Sequence, residues 1–336
     1  MILTESELTA PVELVTADGL LNPAAVGFTR TPFHDTSGVG ARTGWGRNKR
    51  WEYWGVVGPD FLVGLTVASV DYAAVSEVWV FERATGREWG RSGIRPFGRG
   101  VELPPSLGDG PARARAAGLE IDIEDAADGS SRLRAAIAGA AVDILVPLPA
   151  GHERLGVVVP WSDRTFQYTV KDVARPASGS IEVDGVRHEL AAGENWAILD
   201  HGRGRWPYDV EWNWAAASGR SDGRTIGLQL GSRWTHGTGA TENALVVDGR
   251  LTKNSEELRW DYDPSAWLEP WTIRGETADI VFTPFHDKAS RTRLGVISTR
   301  TDQCFGTFAG WMLDEHGMRV PFRDLLGWAE DVHNRW

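Results

Sequence analysis

The amino-acid sequence predicts an all-β protein made of two tandem barrel or sandwich halves with few helices. Three observations carry this prediction. Short apolar runs recur between turn residues, the chain of 336 residues is longer than one hydrophobic core usually needs, and its end repeats its middle. Helical periodicity is scarce, which argues against alternating strands and helices.

The apolar runs are rich in β-branched and aromatic residues and extend along the whole chain. Glycine-rich or Asp-Gly turns separate them, a spacing typical of barrels and sandwiches. Clear examples are WEYWGVV, FLVGLTVASV, VDILVPL, TIGLQLG and GTFAGWML. The best helical candidates are RLRAAIAGAA at residues 132–141 and, more weakly, ARARAAGLE at 112–120.

Length and composition bound the class of protein. The single cysteine, Cys304, can form no intramolecular disulfide, which fits a reducing compartment. A formal charge of -11 repels phosphate backbones and excludes nucleic acid as the expected partner. The N-terminus has no basic, apolar leader pattern, and no run is long and apolar enough to span a membrane. We therefore expect a cytoplasmic protein without a membrane span.

Four blocks in the middle of the chain match four blocks at its end, in the same order. The offsets are 130 to 139 residues, a drift that short loop insertions explain. The pairs are AVDILVPLP with TADIVFTPF, RLGVVVPWSDRTFQ with RLGVISTRTDQ, SGSIEVDG with AGWMLDEHG, and LDHGRGRW with AEDVHNRW. This repeat predicts an N-terminal half over residues 1–218 and a C-terminal half over 219–336.

Tryptophan is unusually abundant, with 17 residues against 5 tyrosines. An indole offers a broad apolar face and one N–H donor, which suits binding of ring systems and polyenes. We predict a ligand pocket lined by Trp54, Trp206, Trp212 and Trp214. The alternative is that these residues only close the ends of barrels.

The segment from Gly193 to Trp214 is the best candidate for chemistry. An apolar strand ends in Asp200, and Trp212 and Trp214, two positions apart, share one face of a later strand. Burial beside indoles raises the pKa of a carboxyl group and allows it to donate a proton near neutrality. In the alternative interpretation, Asp200 pairs with Arg203 or Arg205 and only fixes the turn.

This segment also carries a family resemblance. The pattern G-x-x-W-x-x-x-D-H-x-x-G, followed by W-x-W and a D-G-x-x-I-x-L hairpin, resembles the signature of a two-domain lipocalin-like superfamily. That superfamily includes carotenoid 1,2-hydratases, tocopherol cyclases, attachment-associated proteins and decalin-forming cyclases. RNKRWEYWGV, ENALVVDGRL and LLGWAEDVHNRW are similar to a bacterial member family described only as a domain of unknown function. The resemblance implies that both halves are lipocalin-like.

The resemblance also implies roles for single residues. In the carotenoid hydratases the aspartate of the motif is the proposed proton donor to an alkene, and its position corresponds to Asp200. Those enzymes have a tyrosine two residues earlier, where this chain has Ile198. His201 follows the attachment-associated branch, and we expect His201 and Arg203 to tune Asp200.

The repeat supplies a second set of candidates. Glu330, Asp331 and His333 occupy the place in the second half that Asp200 and His201 hold in the first, as a decayed or structural copy. Glu242 follows the glycine-rich stretch THGTGAT and is the first candidate for a second carboxylate beside Asp200.

No nucleotide-binding, serine-hydrolase or zinc-protease motif occurs, and the eight histidines are scattered, so we expect neither cofactor nor metal. The preferred function is an acid-assisted lyase, hydratase or cyclase acting on a hydrophobic or amphipathic small molecule. Two alternatives stay open. One is a non-catalytic carrier of a hydrophobic ligand, and the other is a glycoside hydrolase that pairs Asp200 with Glu242. The sequence does not predict the oligomeric state.

Overall fold

The computed structural model of the chain describes residues 1–40, 43–294 and 297–336. Within those ranges the protein is nearly all β, with one short 3-10 helix at Pro23–Ala25, and this confirms the predicted fold class. No helix in the described part of the chain is long and apolar enough to cross a membrane.

The N-terminal half contains fifteen strands among the described residues. In chain order they are β1 (Val12–Glu13), β2 (Phe28–Thr29), β3 (His34–Asp35), β4 (Asn48–Val57), β5 (Phe61–Ser69), β6 (Ala73–Glu82), β7 (Arg87–Pro96), β8 (Val101–Glu102), β9 (Ala112–Ala116), β10 (Leu119–Asp125), β11 (Ser131–Ile137), β12 (Ala140–Val146), β13 (Leu155–Pro160), β14 (Phe166–Val183) and β15 (Val186–Arg205). β1 and β3 pair with each other, and the remaining thirteen form the first sheet.

The C-terminal half contributes nine strands, which form the second sheet within the described ranges. They are β16 (Asp209–Ser221), β17 (Arg224–Ser232), β18 (Asn243–Val247), β19 (Arg250–Asn254), β20 (Arg259–Asp261), β21 (Trp271–Arg274), β22 (Ala278–Leu294), β23 (Ile297–Leu313) and β24 (Arg319–Arg335). Each sheet curls into a half-barrel.

The two sheets have the same strand order, which confirms the two related halves. The first runs β7-β6-β5-β4-β15-β14, and the second runs β19-β18-β17-β16-β24-β23. The long strand β22 pairs with β23 where two shorter strands, β12 and β13, pair with β14. The repeat therefore corresponds to equivalent consecutive strands. Gly295 and Val296 of the RLGVISTRTDQ block lie outside the described residues.

Both helical candidates are wrong, because each is a β-hairpin. Residues 132–141 span β11 and β12, and residues 112–120 span β9 and β10. Leu133 and Ala135 are buried while Arg132 and Arg134 are exposed, so the period is two, as in a strand. The alanines resemble helix formers, but Gly139, with a φ of 82°, makes the turn that a helix excludes.

The chain changes from the first sheet to the second between Arg205 and Asp209. Residues 209–218 already pair with β24 of the second sheet, and Asp222 and Gly223 turn the hairpin from β16 to β17. The division into independent units near residue 218 stays a prediction.

The three largest apolar cores among the described residues hold the two sheets together. One lies inside the curl of the first sheet, one inside the second, and one between the two sheets. On β15, Leu199 packs inside the first sheet while its neighbour Ile198 packs between the sheets, as strand alternation requires. Strands β4, β14 and β15 therefore have two buried faces, and their polar residues are buried with them.

Gly202 on β15 shows why the signature segment needs a glycine. A Cβ at this position would lie 2.1 Å from the indole of Trp51, which packs directly on the backbone. We expect Gly202→Ala to lower the free energy of unfolding by about 1–3 kcal/mol, the usual cost of overpacking a core. Gly90→Ala is the control, because a Cβ there meets its nearest neighbour at an ordinary 3.6 Å. Urea unfolding measures both, and an equal change in the two variants would contradict this interpretation.

Candidate active site

Asp200 lies on β15 with its side chain between the two sheets. Its Oδ1 accepts a hydrogen bond of 2.8 Å from the Thr169 hydroxyl, and its Oδ2 lies 3.0 Å from the Lys171 ammonium. Lys171 also lies over the Trp214 ring, 4.2 Å from the centroid. Asp200 is 7% exposed and Lys171 3%, so the pair is nearly removed from water.

Glu242, the residue before β18, joins this pair from the second sheet. Its Oε2 accepts a hydrogen bond of 2.9 Å from the indole nitrogen of Trp234, whereas Oε1 is buried and has no hydrogen-bond partner among the described residues. Burial raises the pKa of Glu242 to about 7, and the charge of Lys171 partly opposes that rise. This carboxyl group is therefore able to hold a proton near neutrality.

Glu330 on β24 is the third carboxyl group between the sheets. Its oxygens accept hydrogen bonds from Trp212 at 2.8 Å and from Gln303 at 3.2 Å. Burial raises the pKa of Glu330 to about 7. The charges of Lys171 and Asp200 act on both glutamates, so the four groups form one electrostatic unit. We call Lys171, Asp200, Glu242 and Glu330 the acid cluster.

His201 and Arg203 do not contact this cluster, and their role in tuning Asp200 stays a prediction. Neighbours on a strand point to opposite faces, so both side chains enter the first half-barrel. His201 Nδ1 lies 3.4 Å from Glu52, and Arg203 donates to the backbone carbonyls of Trp51 and Pro104. Burial holds the pKa of His201 well below its usual range.

The predicted pairing of Asp200 with Arg203 or Arg205 is also absent from the described contacts. Lys171 takes that place. Arg205 instead donates to Asn48 and to the backbone carbonyl of Gly19.

The four predicted pocket tryptophans divide among three packing clusters. Trp54 lies in the core of the first sheet and Trp214 in the core between the sheets. Trp206 and Trp212 contact each other edge to face at 5.5 Å. They belong to a group that we call the indole cluster, made of Trp51, Trp161, Trp206, Trp212, Trp234 and Trp336.

The indole cluster is joined to the acid cluster by two hydrogen bonds, from Trp212 to Glu330 and from Trp234 to Glu242. A cleft of about 410 Å³ opens elsewhere along the boundary of the two sheets, with Trp196, Ser218 and Leu326 in its lining. Its lining does not include Asp200. A pocket that combines Asp200 with two of these indoles stays a prediction.

The copy of the site in the second half is only partly equivalent. Glu330 occupies on β24 the place of Asp200 on β15. Each strand is the fifth in its sheet, counted from β19 and from β7. Asp331 points into the second half-barrel, where it is bound by Arg300 and Tyr262, and His333 contacts Asp209 at 2.7 Å. Neighbouring side chains on a strand point to opposite faces, so of Glu330, Asp331 and His333 it is Glu330 that faces the acid cluster.

The site residues predicted from the sequence did not include Lys171, Thr169 or Trp234. A signal for the first two existed, because Gln167, Thr169 and Lys171 alternate along an otherwise apolar strand and so share one buried face. Trp234 carries no such signal, because it lies in the irregular segment between β17 and β18. Among the described residues, no three metal-binding side chains converge.

The acid cluster predicts a pH-dependent stability. In Glu242 and Glu330 the folded-state pKa of about 7 exceeds the ordinary value of 4.5, so the folded state binds these protons more tightly. Their stabilising contribution is complete below about pH 4.5 and is lost as the pH rises through about 7. We expect Glu330→Gln to reduce the loss of unfolding free energy between these limits by on the order of 1–3 kcal/mol.

Chemical denaturation at a series of pH values measures this slope. Glu189→Gln, a change at an exposed carboxylate on β15, is the control. Its unfolding free energy should depend on pH as in the unmodified chain. Buried Glu52, whose pKa is also raised to about 7 by burial, maintains part of the slope in every variant. Equal slopes in Glu330→Gln and the unmodified chain would exclude a buried proton at Glu330.

Comparison with known proteins gives a family and a fold. The family model described as Domain of unknown function (DUF2804) matches residues 5–336. The search of curated proteins found no match in sequence.

Three solved structures are similar to the chain. Kievitone hydratase from Nectria haematococca is 11% identical with a TM-score of 0.53, covering 100% of this chain and 98% of that one. The protein described as AttH from Nitrosomonas europaea is 12% identical, with a TM-score of 0.52 and coverage of 85% and 92%. CghA, solved with Sch210972, is 12% identical, with a TM-score of 0.55 and coverage of 86% and 88%. At these identities the likeness shows the fold alone, and it confirms the two-domain lipocalin-like architecture.

Proposed function

Since the chain belongs to the family described as Domain of unknown function (DUF2804), we propose its chemistry from the acid cluster. The proposed protein is a cofactor-independent, acid-assisted enzyme of the hydratase, lyase or cyclase type. Its substrate is a hydrophobic or amphipathic small molecule with an alkene, bound between the two sheets. The likeness in fold to kievitone hydratase supports this class of reaction.

One observation carries the proposal. Glu242 is a buried carboxyl group with a raised pKa and an unpartnered Oε1, beside the ion pair of Asp200 and Lys171. Pairs of carboxyl groups in unlike environments are typical of acid and base partners in enzymes. We assign proton donation to Glu242 rather than to Asp200, because both oxygens of Asp200 are already engaged by Thr169 and Lys171.

Hydration of the alkene takes a proton transfer, the addition of water and the return of a proton. Glu242 Oε1–H gives its proton to one alkene carbon, and a cation develops on the other. A water molecule forms the new C–O bond to that carbon while Asp200 accepts the proton that the water loses. Proton return through Lys171 or solvent restores Glu242. In a cyclisation, a second double bond of the substrate forms a new C–C bond to the cation, and Asp200 then takes a proton from the carbon beside the new cation, which leaves a C=C bond.

The aromatic side chains fit the same step. The faces of Trp214 and Trp212 are electron-rich and would stabilise a developing cation, as the Trp214 ring already does for the ammonium of Lys171. A carrier of hydrophobic ligands has no use for a buried Asp200–Lys171 pair whose charges act on two further buried glutamates, since burying such groups is costly. The cluster therefore favours an enzyme over a carrier.

The test is incubation with kievitone, the compound in the name of the hydratase, and with a panel of isoprenoid alkenes in water labelled with heavy oxygen. Mass spectrometry should find a product that has gained one labelled water, or an isomer that carries solvent deuterium when the reaction is run in heavy water. Binding of panel members without any conversion would overturn the proposal in favour of a carrier. Release of a labelled reducing sugar from added oligosaccharides would favour a glycoside hydrolase instead.

A further inference from the structure

We propose that Trp234 is a positioning residue, whose indole N–H fixes the carboxyl group of Glu242 by its Oε2 and so leaves Oε1 as the atom that acts. This inference rests on the proposed function, since it names what orients the proton donor. Trp234 itself does not contact the reacting atoms in this account.

The first support is the hydrogen bond from Trp234 to Glu242 and the packing that holds the indole. The ring lies 5.3 Å from that of Trp206 and 6.0 Å from that of Trp212. The Trp161 indole nitrogen donates to the backbone carbonyl of Trp234 at 2.7 Å. The donor is therefore fixed from its ring and from its backbone.

The second support is the space that the chain leaves for the carboxyl group. A Cβ at Gly231 would lie 2.8 Å from Glu242 Oε2 and 3.0 Å from its Cβ. The backbone N–H of Gly231 donates to Asn243 Oδ1 at 2.8 Å, which ties the residue after Glu242 to β17. The missing Cβ at Gly231 thus leaves room for the carboxyl group of Glu242, and the Trp234 indole holds its Oε2 in that space.

The charged groups around Glu242 determine in which direction its pKa shifts when Trp234 is replaced. Asp200 raises its pKa further, whereas Lys171, Lys253 and the Trp234 hydrogen bond lower it. Lys253 is paired with Glu5 at 2.7 Å, so its charge is part of the fold. Removing the indole donor therefore raises the pKa of Glu242, because the charged carboxylate loses a hydrogen bond.

The first measurement is NMR of the indole N–H signals in the unmodified chain. The signal of Trp234 is identified as the one absent from Trp234→Phe, and it should move with pH with a midpoint near about 7. In Glu242→Gln the same signal should not titrate over this range. If the phenylalanine variant does not fold, triple-resonance assignment of the unmodified chain identifies the signal instead. A Trp234 signal that is independent of pH in the unmodified chain would overturn the proposal.

The second measurement is the ionisation midpoint of Glu242, followed by infrared spectroscopy of its carboxyl band. Trp234→Phe should raise the affinity for this proton by about 2- to 10-fold, the range expected for one hydrogen bond. Trp206→Phe is the matched control, because it removes an indole donor of the same cluster that bonds the amide of Gln167 instead. An unchanged midpoint in Trp234→Phe would overturn the positioning role. If the midpoint shifts but no substrate is turned over, the proposed function fails, whereas the hydrogen bond by which Trp234 holds the Glu242 carboxyl group is supported.

Discussion

Glu242→Gln is expected to lower turnover by about 100-fold or more, the usual scale for losing a general acid. Glutamine keeps nearly the same shape and can still accept the Trp234 hydrogen bond, but it has no acidic proton to give. The assay is the formation of hydrated or cyclised product from the best substrate of the alkene panel. Binding of that substrate should change little.

Glu330→Gln is the matched control, because Glu330 is a buried glutamate of the same cluster whose two oxygens are already occupied by N–H donors. Its turnover should stay within about tenfold of the unmodified chain, since it removes no proton from the reaction. Full activity in Glu242→Gln would exclude Glu242 as the donor. Equal losses in both variants would point to the charge of the cluster rather than to one acid.

Lys171→Met is expected to lower the free energy of unfolding by about 3–5 kcal/mol at neutral pH, the cost of leaving a buried charge without its partner. Methionine fills a similar volume, so packing beside Trp214 is largely kept. The loss should shrink as the pH falls, because protonation of the acid cluster removes the uncompensated negative charge. Denaturant unfolding at several pH values measures it.

Lys288→Met is the control for this change. Lys288 also lies near an indole, that of Trp79, and pairs with Glu77, but this pair is partly exposed to water. Lys288→Met should therefore lower the free energy of unfolding by about 1 kcal/mol or less. A small loss in Lys171→Met that does not depend on pH would show that Asp200 and Lys171 are not the central ion pair of the site.

The sequence contained enough information for the architecture. The repeat placed Trp206 over Trp336. These residues immediately follow the equivalent strands β15 and β24 and contact each other at a ring distance of 5.8 Å. The helical candidates failed because alanine and arginine can alternate in a strand as well as follow a helical face. The deciding residues were the turn glycines, of which Gly139 is one.

Part of the candidate site could be predicted from the sequence. Glu242 was the first candidate for a second carboxylate beside Asp200, and in the structure the charge of Asp200 raises the pKa of Glu242. That the two residues act in one reaction stays a proposal. His201 and Arg203 are close to Asp200 in the chain, but strand alternation directs them to the other face. Lys171 becomes the partner of Asp200 only through the register of β14 on β15, and Trp234 reaches Glu242 only through the packing of a loop. Neither register nor loop packing can be read from one sequence.

The central claim is that Glu242 carries a proton at neutral pH in a site between the two sheets. The most direct test is the infrared difference spectrum between the unmodified chain and Glu242→Gln, recorded across the pH range without substrate. We expect a protonated carboxyl band below about pH 7 in the unmodified chain, and this band should disappear as the pH rises through about 7. The variant should lack the band at every pH. A difference spectrum that shows only ionised carboxylate at about pH 5 to 6, above the ordinary glutamate pKa, would contradict it.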